Sequence, residues 1–137
     1  MVVRDGKAYQ YAMWCVEEDN RKVGVYVKRQ AEQWLEITDG NSDEAFVDEQ
    51  AVCKIENLLK LMQHPDLGCS MYDGLEEYAW FFIIAVLCTK KVDKKGRDIR
   101  YYTTALLEIA RKNFKTFVSA IIFVLLLLTE PSFSRFF

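Results

Sequence analysis

The sequence predicts an α/β chain that is predominantly helical, with one strand leading into a phosphate-binding loop. Apolar residues recur at helical spacing over much of the chain, whereas Tyr101 to Ile109 has the aromatic and aliphatic composition of a strand. A basic segment ending in Lys115-Thr116 then precedes the apolar run Phe117 to Leu128. A strand, a loop and a helix in this order are typical of a nucleotide-binding core.

Composition limits the classes of function. The 137 residues, 51% hydrophobic and 28% charged, suit one globular domain or part of a larger one. A formal net charge of -2 excludes the overall basic field of a stand-alone nucleic-acid-binding module. The four cysteines are widely spaced and there is one histidine, so the sequence supports neither a zinc site nor a disulfide framework. The N-terminus lacks the apolar core of a signal peptide, which predicts a cytosolic protein.

Residues 1–73 are predicted to form an N-terminal helical region. The expected helices are Lys7 to Glu17, Val23 to Ile37 and Ala51 to Met62. The second has an alternative, because Val23, Val25 and Val27 alternate as they would at the start of a strand. The third has clear helical spacing and must end before Pro65, which disfavours helical geometry in the residue before it.

Residues 74–137 are predicted to begin a second region, the nucleotide-binding core. An apolar helix is expected over Leu75 to Cys88, followed by an exposed basic connector from Lys90 to Arg100 with a turn at Gly96. The cations of this connector are a weaker candidate for contacts with DNA phosphates.

The run Phe117 to Leu128 raises the question of a membrane span. A bilayer core is about 30 Å thick and requires about 20 helical residues, more than this run supplies. A helix that is apolar on every side is typical of a segment buried within a protein, so we expect burial rather than stable membrane insertion.

The segment Ala110 to Thr116 has two interpretations. A phosphate-binding loop reads G-x-x-x-x-G-K-[ST], and Ile109 and Phe114 occupy the two glycine positions here. Under the alternative, Ala105 to Leu128 is one continuous helix of good helix formers, and Lys115 is a surface lysine.

The loop resembles the divergent Walker A loop of the large subunit of the tailed-phage terminase, the motor that packages DNA into procapsids. That family's hallmark, Arg-Lys-Asn-Gly-Lys-[Ser/Thr], is matched by Arg111, Lys112, Asn113, Lys115 and Thr116. Upstream, Arg100-Tyr101 and Glu108-Ile109-Ala110 are similar to the family's strand, and Leu75 to Phe81 is similar to its adenine-seating segment. Phe114 in place of glycine, and Ala79 in place of glutamine, depart from the family pattern.

The resemblance implies the N-terminal part of an ASCE-type P-loop NTPase fold that binds ATP and Mg²⁺. Lys115 would contact the β and γ phosphates, Thr116 would be the Mg²⁺ ligand, and Tyr78 would stack near the adenine. Arg111 and Lys112 would add charge near the γ phosphate, and Asn113 would supply either a loop amide or a residue tolerant of left-handed geometry. Phe114 would hinder close approach of the backbone to phosphate.

Other parts of such an ATPase are not identifiable in the sequence. The acidic strand, the water-orienting glutamate and the nuclease carboxylates are missing, so no catalytic residue is predicted and the chain is expected to be a truncated piece. In the full-length protein the resemblance implies DNA and the portal protein or small terminase subunit as partners, in the host cell cytoplasm. A different hypothesis remains open, that of a small, mostly helical interaction or membrane-associated protein that binds no nucleotide.

Overall fold

The computed structural model of the chain describes residues 2–19, 21–107 and 115–129. A 3-10 turn at Val2–Asp5 precedes the helices α1 (Lys7–Glu17), α2 (Val25–Thr38), α3 (Glu49–Leu61), α4 (Met71–Gly74), α5 (Glu77–Cys88) and α6 (Lys115–Thr129). The strands are β1 (Phe46–Val47), β2 (Thr89–Val92) and β3 (Asp98–Arg100). The chain forms two compact units, residues 1–104 and residues 105–137, which are described separately below.

The core of the first unit is an aromatic cluster that joins α1, α2 and α5. Trp34 of α2 is completely buried, and its ring meets that of Phe81 of α5 edge-on at 5.6 Å. Tyr9 and Tyr11 of α1 lie against Trp34 and Phe81, at 6.5 and 5.7 Å between ring centroids. Such aromatic pairs contribute about 0.5–1.5 kcal/mol each beyond the area they bury. The predicted helices Lys7 to Glu17 and Val23 to Ile37 are confirmed, and the strand alternative for Val23 to Val27 is wrong.

Helix α3 confirms the helix predicted for Ala51 to Met62. Asp48 caps its N-terminus by accepting hydrogen bonds from the backbone N–H groups of Gln50 and Ala51, at 3.1 and 3.2 Å. The same carboxylate accepts from Nζ of Lys90 at 2.8 Å, which connects α3 to β2. Burial raises the pKa of Asp48, but the hydrogen bonds from Lys90 and Ala51 outweigh it, and the pKa is lowered overall.

The strands form an antiparallel sheet in the order β1-β2-β3. Val47 pairs with Thr89, and Lys91 pairs with Ile99. The turn between β2 and β3 contains Gly96 at φ +79°, where a side chain would be strained. The turn predicted at Gly96 is confirmed, and most of the segment from Lys90 to Arg100 is exposed as predicted, but it forms two paired strands that the prediction of a connector did not include. Asp93 closes the turn by accepting from the N–H groups of Lys95 and Arg97, which lets the basic segment pair as a hairpin.

The predicted strand from Tyr101 to Ile109 is wrong for the residues that the structure describes. Pairing of β3 ends at Arg100, and residues 101–107 form no strand. The rings of Tyr101 and Tyr102 pack edge-on at 5.0 Å, and the Tyr102 hydroxyl accepts a 2.9 Å hydrogen bond from the Gln30 side chain. The Tyr101 N–H still donates to the carbonyl oxygen of Thr89 at 2.9 Å, whereas the Tyr102 side chain contacts α2. Residues 108–109 lie outside the described residues.

Helix α5 confirms the apolar helix predicted for Leu75 to Cys88, and α6 confirms a helix over Phe117 to Leu128. The buried residues of α6 form a single stripe at Val118, Ile121 and Leu125. Phe123 and Leu128 are 55% and 56% exposed, so burial on every side, as expected for this apolar run, is not observed. Within the described ranges, none of the helices is both long enough and apolar enough to traverse a bilayer.

The fold is therefore mixed α/β and mostly helical, as predicted. Every strand pairing between described residues is antiparallel. The parallel sheet of a P-loop core is a different arrangement, and the P-loop fold stays a prediction.

Candidate functional site

The predicted phosphate-binding loop lies only partly within the described residues. Arg111, Lys112, Asn113 and Phe114 fall outside them. Lys115 is the first residue of α6, and Thr116 is an exposed residue of its first turn. Residues 105–107 are not helical, so the alternative of one continuous helix beginning at Ala105 is wrong.

The start of α6 has the electrostatic character of an anion site. The first N–H groups of a helix have no partner within the helix, and the aligned peptide dipoles place about half a positive charge at this end. Helix α6 runs to Thr129, long enough for this effect to develop fully. A phosphate group binds readily at the N-terminus of a helix, and Lys115 and Thr116 are the first residues of α6 within the described part of the chain.

The predicted Mg²⁺ ligand fits this position in part. The Thr116 residue is exposed, so its hydroxyl is accessible at the start of the helix. One hydroxyl is a weak ligand alone, because Mg²⁺ in nucleotide sites takes most of its ligands from phosphates and water. Within the described residues there is no group of three or more His, Cys, Asp or Glu side chains able to hold a metal ion. All four cysteines are free thiols, and Cys15 and Cys88 are buried.

Tyr78, the predicted adenine contact, lies in the first turn of α5 in the unit formed by residues 1–104. It is half-buried, and burial, followed by the charge of Glu76, raises the pKa of its phenol. The phenol is therefore protonated at neutral pH. Thr116 and Lys115 belong to the other unit, residues 105–137.

Tyr78 is one wall of an open groove of about 510 Å³. We call it the aromatic groove; its lining residues are Tyr11, Trp14, Asp73, Gly74, Leu75, Glu76, Glu77 and Tyr78. Tyr11 and Trp14 come from successive turns of α1, and their rings lie 5.8 Å apart with 31° between their planes. Trp14 is 41% exposed, so part of its side chain is open to solvent.

The aromatic groove carries negative charge. Asp73, Glu76 and Glu77 are all exposed, and no lining residue within the described part of the chain is basic. Glu76 and Glu77 begin α5, where the helix dipole stabilises carboxylates. Burial, followed by the neighbouring Cys15, raises the pKa of Tyr11, so that its ring is neutral at physiological pH.

The basic hairpin is less available for DNA than its sequence indicates. Lys90 is paired with Asp48 at 2.8 Å, and Arg97 with Asp93 at 3.1 Å. Lys94 and Lys95 at the turn are exposed. Two of the six cations between Lys90 and Arg100 are thus paired with carboxylates, which leaves fewer charges for the predicted contact with DNA.

The predictions missed Tyr11, Trp14 and Asp73. Tyr11 and Trp14 are spaced i, i+3 in a predicted helix and so share a face, which was the available signal. The rings of Tyr11 and Trp14 lie near Glu76 and Glu77 because of how α1 packs on α5. No local pattern in the sequence specifies that packing.

Comparison of the chain with protein-family models, curated proteins and solved structures found no match.

Proposed function

We propose that this chain is the N-terminal ATP-binding portion of a phage terminase large subunit, the ATP-driven motor that packages viral DNA into procapsids. The observation that carries the proposal is the start of α6 at Lys115-Thr116, directly after the segment Arg111-Lys112-Asn113-Phe114. In the full-length protein this portion would belong to an ATPase in the host cell cytoplasm, with DNA and the portal protein or small subunit as partners.

The roles follow from the chemistry of the residues. Lys115 supplies a cation for the β and γ phosphates, and the helix N-terminus supplies N–H donors. Thr116 offers its hydroxyl to Mg²⁺, which when bound neutralises phosphate charge. Arg111 and Lys112 add positive charge near the γ phosphate, and Asn113 suits the left-handed geometry that such a loop requires.

Tyr78 would stack on the adenine. An aromatic ring suits a neutral adenine, but the aromatic groove presents three carboxylates and no cation among its described lining residues. Carboxylates repel a triphosphate, so an adenine seated beside Tyr78 would require its phosphates to point out of this groove.

Equilibrium binding of a fluorescent ATP analogue with Mg²⁺ to the 137-residue chain tests the proposal. Lys115→Ala removes a charge-assisted contact, and we expect affinity to fall about ten- to a hundredfold. Lys94→Ala is the matched control, because Lys94 is exposed at the hairpin turn. Equal binding by the wild type and Lys115→Ala, or equal losses in the two variants, would exclude the loop.

Phe114→Gly is the complementary variant. It restores the residue that lets backbone approach phosphate closely, so affinity for the analogue should rise above that of the wild type. Unchanged or weaker binding would mean that Phe114 is not in the glycine position of a phosphate loop.

One observation favours a second candidate, a mostly helical interaction protein without nucleotide binding. Phe123, Val124 and Leu128 form an exposed apolar face on α6. If Mg-ATP fails to bind while substitutions on this face abolish self-association, the interaction hypothesis replaces the nucleotide hypothesis.

A further inference from the structure

The aromatic groove combines two features that select the same kind of ligand. Tyr11, Trp14 and Tyr78 present aromatic rings, whose negative faces attract cations within about 6 Å of the ring centre. Asp73, Glu76 and Glu77 surround these rings with carboxylates. The rings and the carboxylates together favour a positively charged group with a planar or apolar surface.

Charge complementarity identifies the class of partner. The groove volume of about 510 Å³ lies within the range of about 300–1,000 Å³ typical of ligand sites. A guanidinium group stacks on an aromatic ring and donates to two carboxylates at once, which an ammonium ion does less well. We propose that the aromatic groove binds an arginine-rich polypeptide segment of a partner protein, with an arginine stacked on Trp14 and hydrogen-bonded to Glu76 and Glu77.

Local chemistry keeps the groove ready for such a ligand. Asp73 accepts from the Ser70 hydroxyl at 3.3 Å, which holds its carboxylate in place. The phenols of Tyr11 and Tyr78 have raised pKa values because of burial, so both rings are uncharged at neutral pH. The groove shares Tyr78 with the proposed nucleotide site, but none of its residues belongs to the proposed phosphate loop, and all of them lie in the unit formed by residues 1–104.

The test is a titration of the 137-residue chain with a tetra-arginine peptide, blocked at both ends. Trp34 and Trp80 are 0% and 1% exposed, so a change in tryptophan emission reports on Trp14. We expect saturable one-to-one binding that changes this emission and weakens as salt is raised. Binding without an emission change, or no saturation, would overturn the proposal.

Matched variants separate the groove from general attraction to an acidic protein. Glu76→Gln with Glu77→Gln should weaken binding about three- to tenfold, as measured by calorimetry. Glu32→Gln with Glu36→Gln makes the same change in net charge on the exposed part of α2 and should have less than a twofold effect. Equal losses in the two double variants would show that net charge, not the groove, attracts the peptide.

Trp14→Leu keeps an apolar side chain but removes the π face, and should weaken binding about two- to fivefold. Melting curves for each variant establish that the fold is retained. Spermine binding as tightly as the peptide would point to a polyamine site and overturn the polypeptide assignment. Lys115→Ala should bind the peptide like the wild type, so failure of the nucleotide proposal would leave this one intact.

Discussion

Helices α5 and α6 have similar apolar compositions but different surroundings. In α5, Trp80, Ile83 and Ile84 are almost completely buried, and only Glu77 in the first turn is fully exposed. In α6, among the residues whose burial the structure describes, only Val118, Ile121 and Leu125 are buried, and Phe123, Val124 and Leu128 are exposed. Composition therefore predicted both helices but not which of them is enclosed by the fold.

The end of α5 is also held by hydrogen bonds. The Asp48 N–H donates to the carbonyl oxygen of Cys88 at 2.9 Å. Thr89, the next residue, is completely buried and accepts a 3.1 Å hydrogen bond from Nε1 of Trp34. Helix α5 is thus a central structural element of the first unit, whereas α6 leaves apolar side chains exposed.

A leucine-to-alanine substitution should lower the free energy of unfolding far more in α5 than in α6, and this is the largest difference expected between the two helices. Leu87 of α5 is 6% exposed and Leu128 of α6 is 56% exposed. Leu87→Ala should lower the free energy of unfolding by about 2–5 kcal/mol because it opens a cavity. Leu128→Ala should change it by less than about 0.5 kcal/mol. Urea denaturation measures both, and similar losses would mean that α6 is as enclosed as α5.

A smaller loss of stability is expected from a substitution at the C-terminal end of α5. Thr89→Val keeps the shape of the side chain but leaves the buried indole N–H of Trp34 without its acceptor. The free energy of unfolding should fall by about 1–3 kcal/mol. Thr103→Val, at an exposed position, is the control and should have almost no effect. Equal stability of wild type and Thr89→Val would mean that this hydrogen bond does not help to hold α5.

Asp48 links α3 to β2, the strand that follows α5. The loss in free energy of unfolding caused by replacing Asp48 should depend on pH. Asp48→Ala loses the helix cap and the Lys90 pair, at a cost of about 1–2 kcal/mol near pH 7. Because the folded pKa is lowered below the ordinary value of 3.8, ionised Asp48 stabilises the fold above that pH. This stabilisation is lost as pH falls through the folded pKa. Chemical denaturation from pH 7 to pH 3 should show the gap between Asp48→Ala and wild type narrowing below about pH 4; a widening gap would contradict the lowered pKa.

The smallest effect on stability is expected on the exposed face of α6. Phe123→Lys should leave the free energy of unfolding within about 0.5 kcal/mol of the wild type, because the side chain is 55% exposed. The same change should reduce self-association, since it places a charge in an exposed apolar patch. Sedimentation velocity over a range of concentrations measures this, and unchanged association would assign the contact to another surface.

Local patterns predicted most of the helices because spacing, capping residues and Pro65 act within a few residues. Asp48 before Glu49 and the regular apolar positions after it determine where α3 begins. The hairpin from Lys90 to Arg100 was missed because its charged residues look like a connector. Its pairing depends on Asp93 and on β1, which is distant in sequence.

The two candidate sites also differ in whether local sequence or packing between distant segments forms them. The Lys115-Thr116 pair was found from local order and a family resemblance, and these are the first residues of α6 within the described ranges. The aromatic groove was not found, because Trp14 and Glu76 are brought together only by the packing of α1 on α5. Tyr78 was selected for adenine from sequence, yet it lies among carboxylates, two of which, Glu76 and Glu77, directly precede it in the sequence.

The central claim, that Lys115-Thr116 opens a nucleotide-binding helix, is tested most directly by NMR. A ¹⁵N-labelled 137-residue chain would be titrated with Mg²⁺ and a slowly hydrolysed ATP analogue, and its amide shifts followed. The claim predicts saturable shifts centred on residues 111–118. An absence of shifts there, or shifts confined to the aromatic groove around Trp14 and Tyr78, would contradict it.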